Sequence, residues 1–262
     1  MKRLFPPLLG AVLTLMLSQN TGAAQSQTLL YDHVHLAVPD PTAAVSWYLD
    51  HFNGEAIEGQ QDRVLIGTTQ FVFFRSDDAE PSAGSAVDHL GFSVQDLDAK
   101  LRELESAGAT ITSPRRDVSG LFPLAFLDDP WGIRLEVIQD HQHLGFHHIH
   151  LRSPDPATTL TWYQNQFGGV RMPLRGRLDG LLYPGNVWLL VQNGDATPSL
   201  GNAIDHTSWR VMDLDEKLVE LRRSGATLSG EPRTVSRPDG DLEIVFVDGP
   251  AGARIELVQR GP

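Results

Sequence analysis

The stretch HVHLAVPDPTAAVSWYLDHFNG, from His33 to Gly54, decides the fold, because the chain repeats it as HIHLRSPDPATTLTWYQNQFGG from His148 to Gly169. The two stretches are identical at 10 of 22 positions. A second pair, DLDAKLRELESAGATI from Asp96 and DLDEKLVELRRSGATL from Asp213, is identical at 10 of 16. Repeats of this kind indicate duplicated structural units. We therefore predict two similar halves, with domains at residues 29–140 and 145–260.

Each half carries the same order of predicted elements twice. An alternating strand at 33–38 leads through PDP into a helix with Tyr48 and Phe52 on its apolar face, and short strands follow near 63–66 and 70–74. A second cycle has a strand at 87–94, a helix from Leu97, and strands near 111, 121–127 and 133–138. The sequence thus predicts an α+β fold of four βαβββ modules.

The composition describes an acidic globular protein. Its 262 residues include 33 acidic and 21 basic side chains, for a formal net charge of -12. This charge disfavours partners with a phosphate backbone or an anionic membrane surface. Cysteine is absent, so disulfides, thiolate ligands and catalytic thiols are excluded. Any metal would be held by His, Asp and Glu.

The N-terminal segment has the order of a secretory signal peptide. Lys2 and Arg3 precede an apolar run at 4–17, and small residues follow at 22–24. That run is shorter than the roughly 20 residues that span a bilayer. We predict a signal peptide at 1–24, cleaved after Ala24, and a soluble protein that is secreted or periplasmic and does not stay in the membrane.

Histidines and glutamates recur on matched strand faces. Period-2 alternation in the first strand turns Val34 and Leu36 toward the helix and His33 and His35 away from it. Two imidazoles and a carboxylate on one metal leave positions open for a substrate. The sequence leaves open whether a metal is held within one half or between the halves. The predicted metal ligands, all opposite the helices, are His33, His89, Glu136, His148, His206 and Glu256.

Four further residues share these faces. His35 and His150 lie two positions beyond a predicted ligand, so we predict a catalytic acid–base role for both. Arg152 and Arg210 would suit a carboxylate or phosphate on the substrate, and we predict that they bind it. The remaining histidines, which we expect to lie at the surface or to pack, are His51, His141, His143 and His147.

Taken in this order, the motifs resemble the vicinal oxygen chelate superfamily, which includes glyoxalase I, extradiol dioxygenases, and fosfomycin- and bleomycin-resistance proteins. The matching motifs are the first-strand His, WYxxxFxG or WYxxxFG (47–54 and 162–168), DH (88–89 and 205–206), and DPWGIRLEV or GPAGARIEL (129–137 and 249–257). The resemblance implies two tandem glyoxalase-like domains built as half-open mixed β-barrels around a metal.

The resemblance also implies the chemistry. Such a protein would be a metal-dependent enzyme acting on a small oxygen-chelating molecule, as a dioxygenase or as a lyase or isomerase. Its cofactor would be a divalent metal, with Fe(II) favoured and Zn, Ni or Mn as alternatives. Glyoxalase-like sites add a fourth ligand, a Glu, where this chain has QFVFFRS and NVWLLVQ. The alternative functions are a non-catalytic, drug-sequestering protein and a protein whose metals are structural.

Overall fold

The computed structural model describes residues 27–237 and 240–261, which form two mixed sheets, four α-helices and one short 3-10 helix (Pro250–Gly252). The predicted signal peptide lies outside the described residues. The first half contains β1 (Leu30–Val38), α1 (Pro41–His51), β2 (Glu55–Ile57), β3 (Gln60–Ile66), β4 (Thr69–Arg75), β5 (Val87–Ser93), α2 (Leu97–Ser106), β6 (Thr110–Asp117), β7 (Pro123–Asp128) and β8 (Arg134–Ile138).

The second half repeats this order. It contains β9 (Gly145–Ser153), α3 (Pro156–Phe167), β10 (Val170–Leu174), β11 (Leu178–Tyr183), β12 (Val187–Asn193), β13 (Ile204–Arg210), α4 (Leu214–Arg223), β14 (Thr227–Leu228), β15 (Arg233–Val235), β16 (Leu242–Asp248) and β17 (Arg254–Arg260).

An aspartate starts each of the four helices. Its side chain accepts a hydrogen bond from the backbone N–H three residues later, which satisfies one of the otherwise unpaired donors of the first turn. In α1 and α3 a proline follows directly and presets the helical φ angle. The repeated PDP and DLD motifs are therefore helix starts. The four N-cap residues are Asp40, Asp96, Asp155 and Asp213.

Each sheet combines one module from each half. Sheet 1 has the order β14-β16-β17-β13-β1-β4-β3-β2, with β15 added on β16, and so joins the first module to the fourth. Sheet 2 has the order β10-β11-β12-β9-β5-β8-β7-β6 and joins the second module to the third. The two halves meet within the sheets at the antiparallel strand pairs β1–β13 and β5–β9. The predicted α+β fold is confirmed, and the sheets are open rather than closed barrels.

One apolar core packs against the helix-facing sides of both sheets. Val34 and Leu36 are fully buried in it, as the alternation in the first strand predicts. Phe52 of the first module stacks near Phe92 of the second, with 4.1 Å between ring centroids. Within the first half, the core thus joins the two modules. Each sheet, in turn, joins a module of one half to a module of the other.

Within residues 27–237 and 240–261, no helix has the length and apolar character needed to cross a membrane.

Candidate metal centres

The residue before each predicted histidine ligand is an extra residue in its strand. Between β1 and β13, Tyr31 pairs with Trp209 but His33 pairs with Ser208, which leaves Asp32 bulged. A bulge breaks the alternation and redirects a side chain. The bulged residue can therefore reach the ring of the histidine that follows it. The other bulged residues are Asp88, His147 and Asp205.

Sheet 1 gathers His33, His206 and Glu256, a set that we name centre 1. Nε2 of His33 lies 3.0 Å from Oε2 of Glu256, and Nε2 of His206 lies 3.6 Å from the same oxygen. All three side chains are at least nine-tenths buried. Two imidazole nitrogens and one carboxylate oxygen thus meet at one point, although their residues come from opposite halves.

Sheet 2 gathers His89, Glu136 and His148, which we name centre 2. Nε2 of His89 and Nε2 of His148 lie 3.2 and 3.0 Å from Oε2 of Glu136. Burial alone would raise the pKa of Glu136, but hydrogen bonds with His148 and His89 lower it well below its usual value. The carboxylate is therefore ionised at neutral pH and available to a cation.

A carboxylate lies behind three of the four histidines and orients each ring. Because the carboxylate accepts a hydrogen bond from Nδ1–H, Nε2, which faces the centre, is the nitrogen that would give up its proton and bind a metal. Metal-binding histidines are commonly held in this way. The three contacts from carboxylate oxygen to Nδ1 are Asp32–His33 at 3.0 Å, Asp88–His89 at 2.7 Å and Asp205–His206 at 2.6 Å.

His147 takes the place of the carboxylate behind His148. Their Nδ1 atoms are 2.9 Å apart. Burial and then the charge of His148 lower the pKa of His147 to about 3, so its ring is neutral and can accept a hydrogen bond from Nδ1–H of His148. The Nε2 of His147 lies 4.0 Å from Oδ2 of Asp140. This contact corrects the expectation that His147 only packs, because the bulge overrides the alternation.

His35 and His150 extend the two centres. Nδ1 of His35 lies 3.0 Å from Nε2 of His206, and Nδ1 of His150 lies 2.9 Å from Nε2 of His89. Burial, followed by the charge of the neighbouring histidine, lowers the pKa of both well below the usual value. Each is therefore a neutral imidazole at neutral pH and can offer a lone pair.

The donor set fits a divalent metal. The ligand atoms of His89, Glu136, His148 and His150 all lie within 4.8 Å of one another, as do those of His33, His35 and His206. Nε2 of His33 is buried and faces Oε2 of Glu256 at 3.0 Å, so a nitrogen and a carboxylate oxygen are aimed at the same point. Nitrogen and carboxylate ligands together suit Fe, Zn, Ni or Mn.

The structure separates the two arginines that were predicted to bind substrate. Arg210 lies on sheet 1, and its Nε donates to Asp32 at 2.8 Å, behind His33. Arg152 lies on sheet 2, where its Nε donates to the carbonyl of Asp195. The six predicted ligands, by contrast, divide into the two compact sets described above.

Sequence reasoning missed the residues that support the ligands. The signal was present, because an aspartate directly precedes three of the four histidines and a fourth histidine precedes the other. Strict alternation assigned those residues to the helix side. Arg63 was also missed, although it is 4% exposed and lines the cavity beside His35.

Comparison with known protein families confirms the resemblance. A model described as the Glyoxalase/Bleomycin resistance protein/Dioxygenase superfamily matches residues 30–137. These residues are thus similar to that superfamily. Glyoxalase I of Saccharomyces cerevisiae (strain ATCC 204508 / S288c) is 26% identical over 192 residues, covering 56% of this chain and 59% of the relative. The chain thus spans about three fifths of the length of that relative.

Solved structures show the same fold along most of the chain. Glyoxalase I from Zea mays has a TM-score of 0.69 and 18% identity, covering 88% of this chain and 92% of its own. A Bacillus subtilis protein (strain 168), described provisionally as a dioxygenase, has a TM-score of 0.60 and 16% identity, covering 90% and 87%. The tandem glyoxalase-like architecture is therefore confirmed over both halves.

Proposed function

We propose that the chain is an exported, divalent-metal-dependent enzyme that acts on a small molecule with two neighbouring oxygens. The observation that carries this proposal is the convergence of two histidine nitrogens on one glutamate oxygen, at 3.0 to 3.6 Å, in both sheets. A non-catalytic binding protein has no need of two such sets. Fe(II) is the favoured metal, with Zn, Ni or Mn as alternatives.

The ligand roles follow from the two sets. His33, His206 and Glu256 would hold one metal, and His89, Glu136 and His148 would hold the other. When bound, such a metal supplies Lewis-acid polarisation of the chelated substrate oxygens. The residues behind the ligands hold the proton of each histidine on Nδ1, so that Nε2 would be the nitrogen offered to the metal. His35 and His150, both neutral, would accept a proton from the substrate and return it later.

The reaction class is narrowed by what the strands beside the centres carry. The residues opposite His35 and His150 are Val72 on β4 and Leu190 on β12, and neither strand holds an acidic residue. The fourth glutamate of glyoxalase-like sites is therefore missing from both strands. This supports dioxygenase chemistry, or a lyase or isomerase reaction other than that of glyoxalase I.

Metal analysis of the purified chain tests the proposal. We expect about two equivalents of a divalent metal per chain, lost on treatment with a chelator. Iron at that level would support oxygen chemistry, and zinc or nickel would support a lyase or isomerase. Absence of metal after reconstitution with all four candidates would contradict the proposal and favour a drug-sequestering protein.

A further inference from the structure

The two centres differ in one row of side chains that crosses each sheet. In sheet 1 the cross-strand partners run from His206 to His35, then Val72, and end at Arg63 on β3. Residues in such a row project from the same face of a sheet. Arg63 therefore lies on the same face as the centre 1 ligands, two strands away from His35.

The matching row of sheet 2 ends differently. It runs from His89 to His150, then Leu190, and ends at Gly180 on β11. A side chain at Gly180 would collide with Leu190, because an added Cβ would sit 2.7 Å from a methyl group of that leucine. Sheet 2 therefore has no space for a cation at this position.

The surroundings of the two centres follow the same division. Around centre 2, the strands contribute a separate buried apolar cluster that includes Leu190, Phe122 and Trp188. Trp188 is the cross-strand partner of His148, whereas the residue opposite His33 in sheet 1 is Gln70. Centre 2 is thus bordered by apolar side chains at positions where centre 1 has polar ones.

Centre 1 opens into a cavity of about 180 Å³ with a cationic wall. Its lining includes His35 and Glu256 together with Arg63, Arg233, Arg237 and Arg260. Asp62 contacts Arg63 and Arg237, and Asp32 contacts Arg260, but the lining itself holds four arginines and one carboxylate. Such a concentration of positive charge attracts anionic ligands.

Arg63 is rigidly placed for this task. Its Nε and Nη2 donate to the two carboxylate oxygens of Asp62 at 2.9 and 3.0 Å, and its Nη1 donates to Gln70 at 3.1 Å. A guanidinium has five N–H donors, so two remain for a ligand. Arg233 is exposed, and its guanidinium lies over Phe246 at 6.0 Å, as that of Arg116 lies over Phe126 at 5.7 Å in sheet 2. Arg63 is therefore the arginine that distinguishes centre 1 from centre 2.

We propose that centre 1, and not centre 2, recognises a substrate that carries an oxyanionic group, a carboxylate or a phosphate or phosphonate, next to the oxygens that bind the metal. Arg63 and Arg233 hold that group, since a guanidinium can direct its N–H donors at two oxygens of a carboxylate or of a phosphate. This inference rests on the proposed function, because it assigns a substrate class to one of the two centres.

Anion binding to the purified full chain tests the inference. Inorganic phosphate and malonate, as separate probes, are titrated calorimetrically at low ionic strength, before and after chelator treatment. Tighter binding of malonate indicates a carboxylate on the substrate, and tighter binding of phosphate indicates a phosphate-like group. We expect Arg63→Met and Arg233→Gln each to weaken binding by about tenfold, or about 1.4 kcal/mol. Arg233 is exposed, so its variant is informative even where Arg63→Met lowers stability.

The matched control is Arg177→Met. Arg177 lines a cavity beside His150 on sheet 2 and donates to the carbonyl of Ser119. We expect its replacement to leave binding unchanged within twofold. Equal weakening by all three variants, or no effect of Arg63→Met and Arg233→Gln, would overturn the inference. Metal binding without anion binding would defeat this inference alone, whereas Arg63-dependent anion binding without any metal would defeat only the proposed function.

Discussion

Replacing His147 with phenylalanine tests how centre 2 orients its ligands. The phenyl ring keeps most of the buried volume but removes the nitrogen that lies 2.9 Å from Nδ1 of His148. The Nδ1–H of His148 then loses its acceptor in a buried position, which costs about 1–3 kcal/mol. Loss of a residue that orients a metal-binding histidine typically lowers metal affinity about 10- to 100-fold, or about 1.4–2.7 kcal/mol. The two estimates agree.

The assay is chelator competition with Zn in a Glu256→Gln background, so that centre 2 is observed alone. We expect His147→Phe to raise the dissociation constant of Zn at centre 2 by about 10- to 100-fold. The dissociation constant of Zn at centre 1, measured in a Glu136→Gln background, should stay unchanged. His51→Phe serves as the matched control, because His51 ends α1 and its Nδ1 contacts Glu103 of α2 rather than a residue of either centre. An affinity of centre 2 that stays within twofold of the parent would refute the proposed role of His147.

Three further predictions concern other parts of the chain. His150→Gln should keep its metal but lose about 10²-fold or more in turnover once a substrate is known; loss of metal would instead make His150 a ligand, and unchanged turnover would make it a bystander. Burial raises the pKa of Asp129 to about 7. Because this exceeds the usual unfolded value, the stability that Asp129 contributes is present below about pH 4 and is lost as the pH rises through 7. Urea unfolding should thus show a fall of up to about 4 kcal/mol in the parent between pH 4 and 8 that is absent in Asp129→Asn. Finally, N-terminal sequencing of the fractionated protein should begin near Gln25 outside the cytoplasm, and an intact Met1 form in the cytosol would contradict export.

The repeat and the alternation of the strands were sufficient to predict the modules and the face of each ligand. His33 and Val34 illustrate why, since burial of Val34 in the core forces its neighbour to the opposite face. The same constraint acts on all four modules. The six residues predicted as ligands accordingly occur in two compact sets.

The pairing of modules and the local register could not be read from the sequence. The pairings β1–β13 and β5–β9 depend on long-range contacts between the halves. Local hydrophobic patterns carry no information about such contacts. The bulges at Asp32 and His147 are likewise defined only relative to the partner strand. Period-2 reasoning therefore failed at the positions where the strand departs from regular geometry to support the centres.

The central claim is that two metals are held between the halves of the chain, one on each sheet. Metal content is measured after reconstitution for the parent, for Glu136→Gln, for Glu256→Gln and for the double variant. We predict about two equivalents per chain in the parent, one in each single variant and none in the double variant. Two equivalents retained in either single variant, with affinities equal to those of the parent, would contradict the claim.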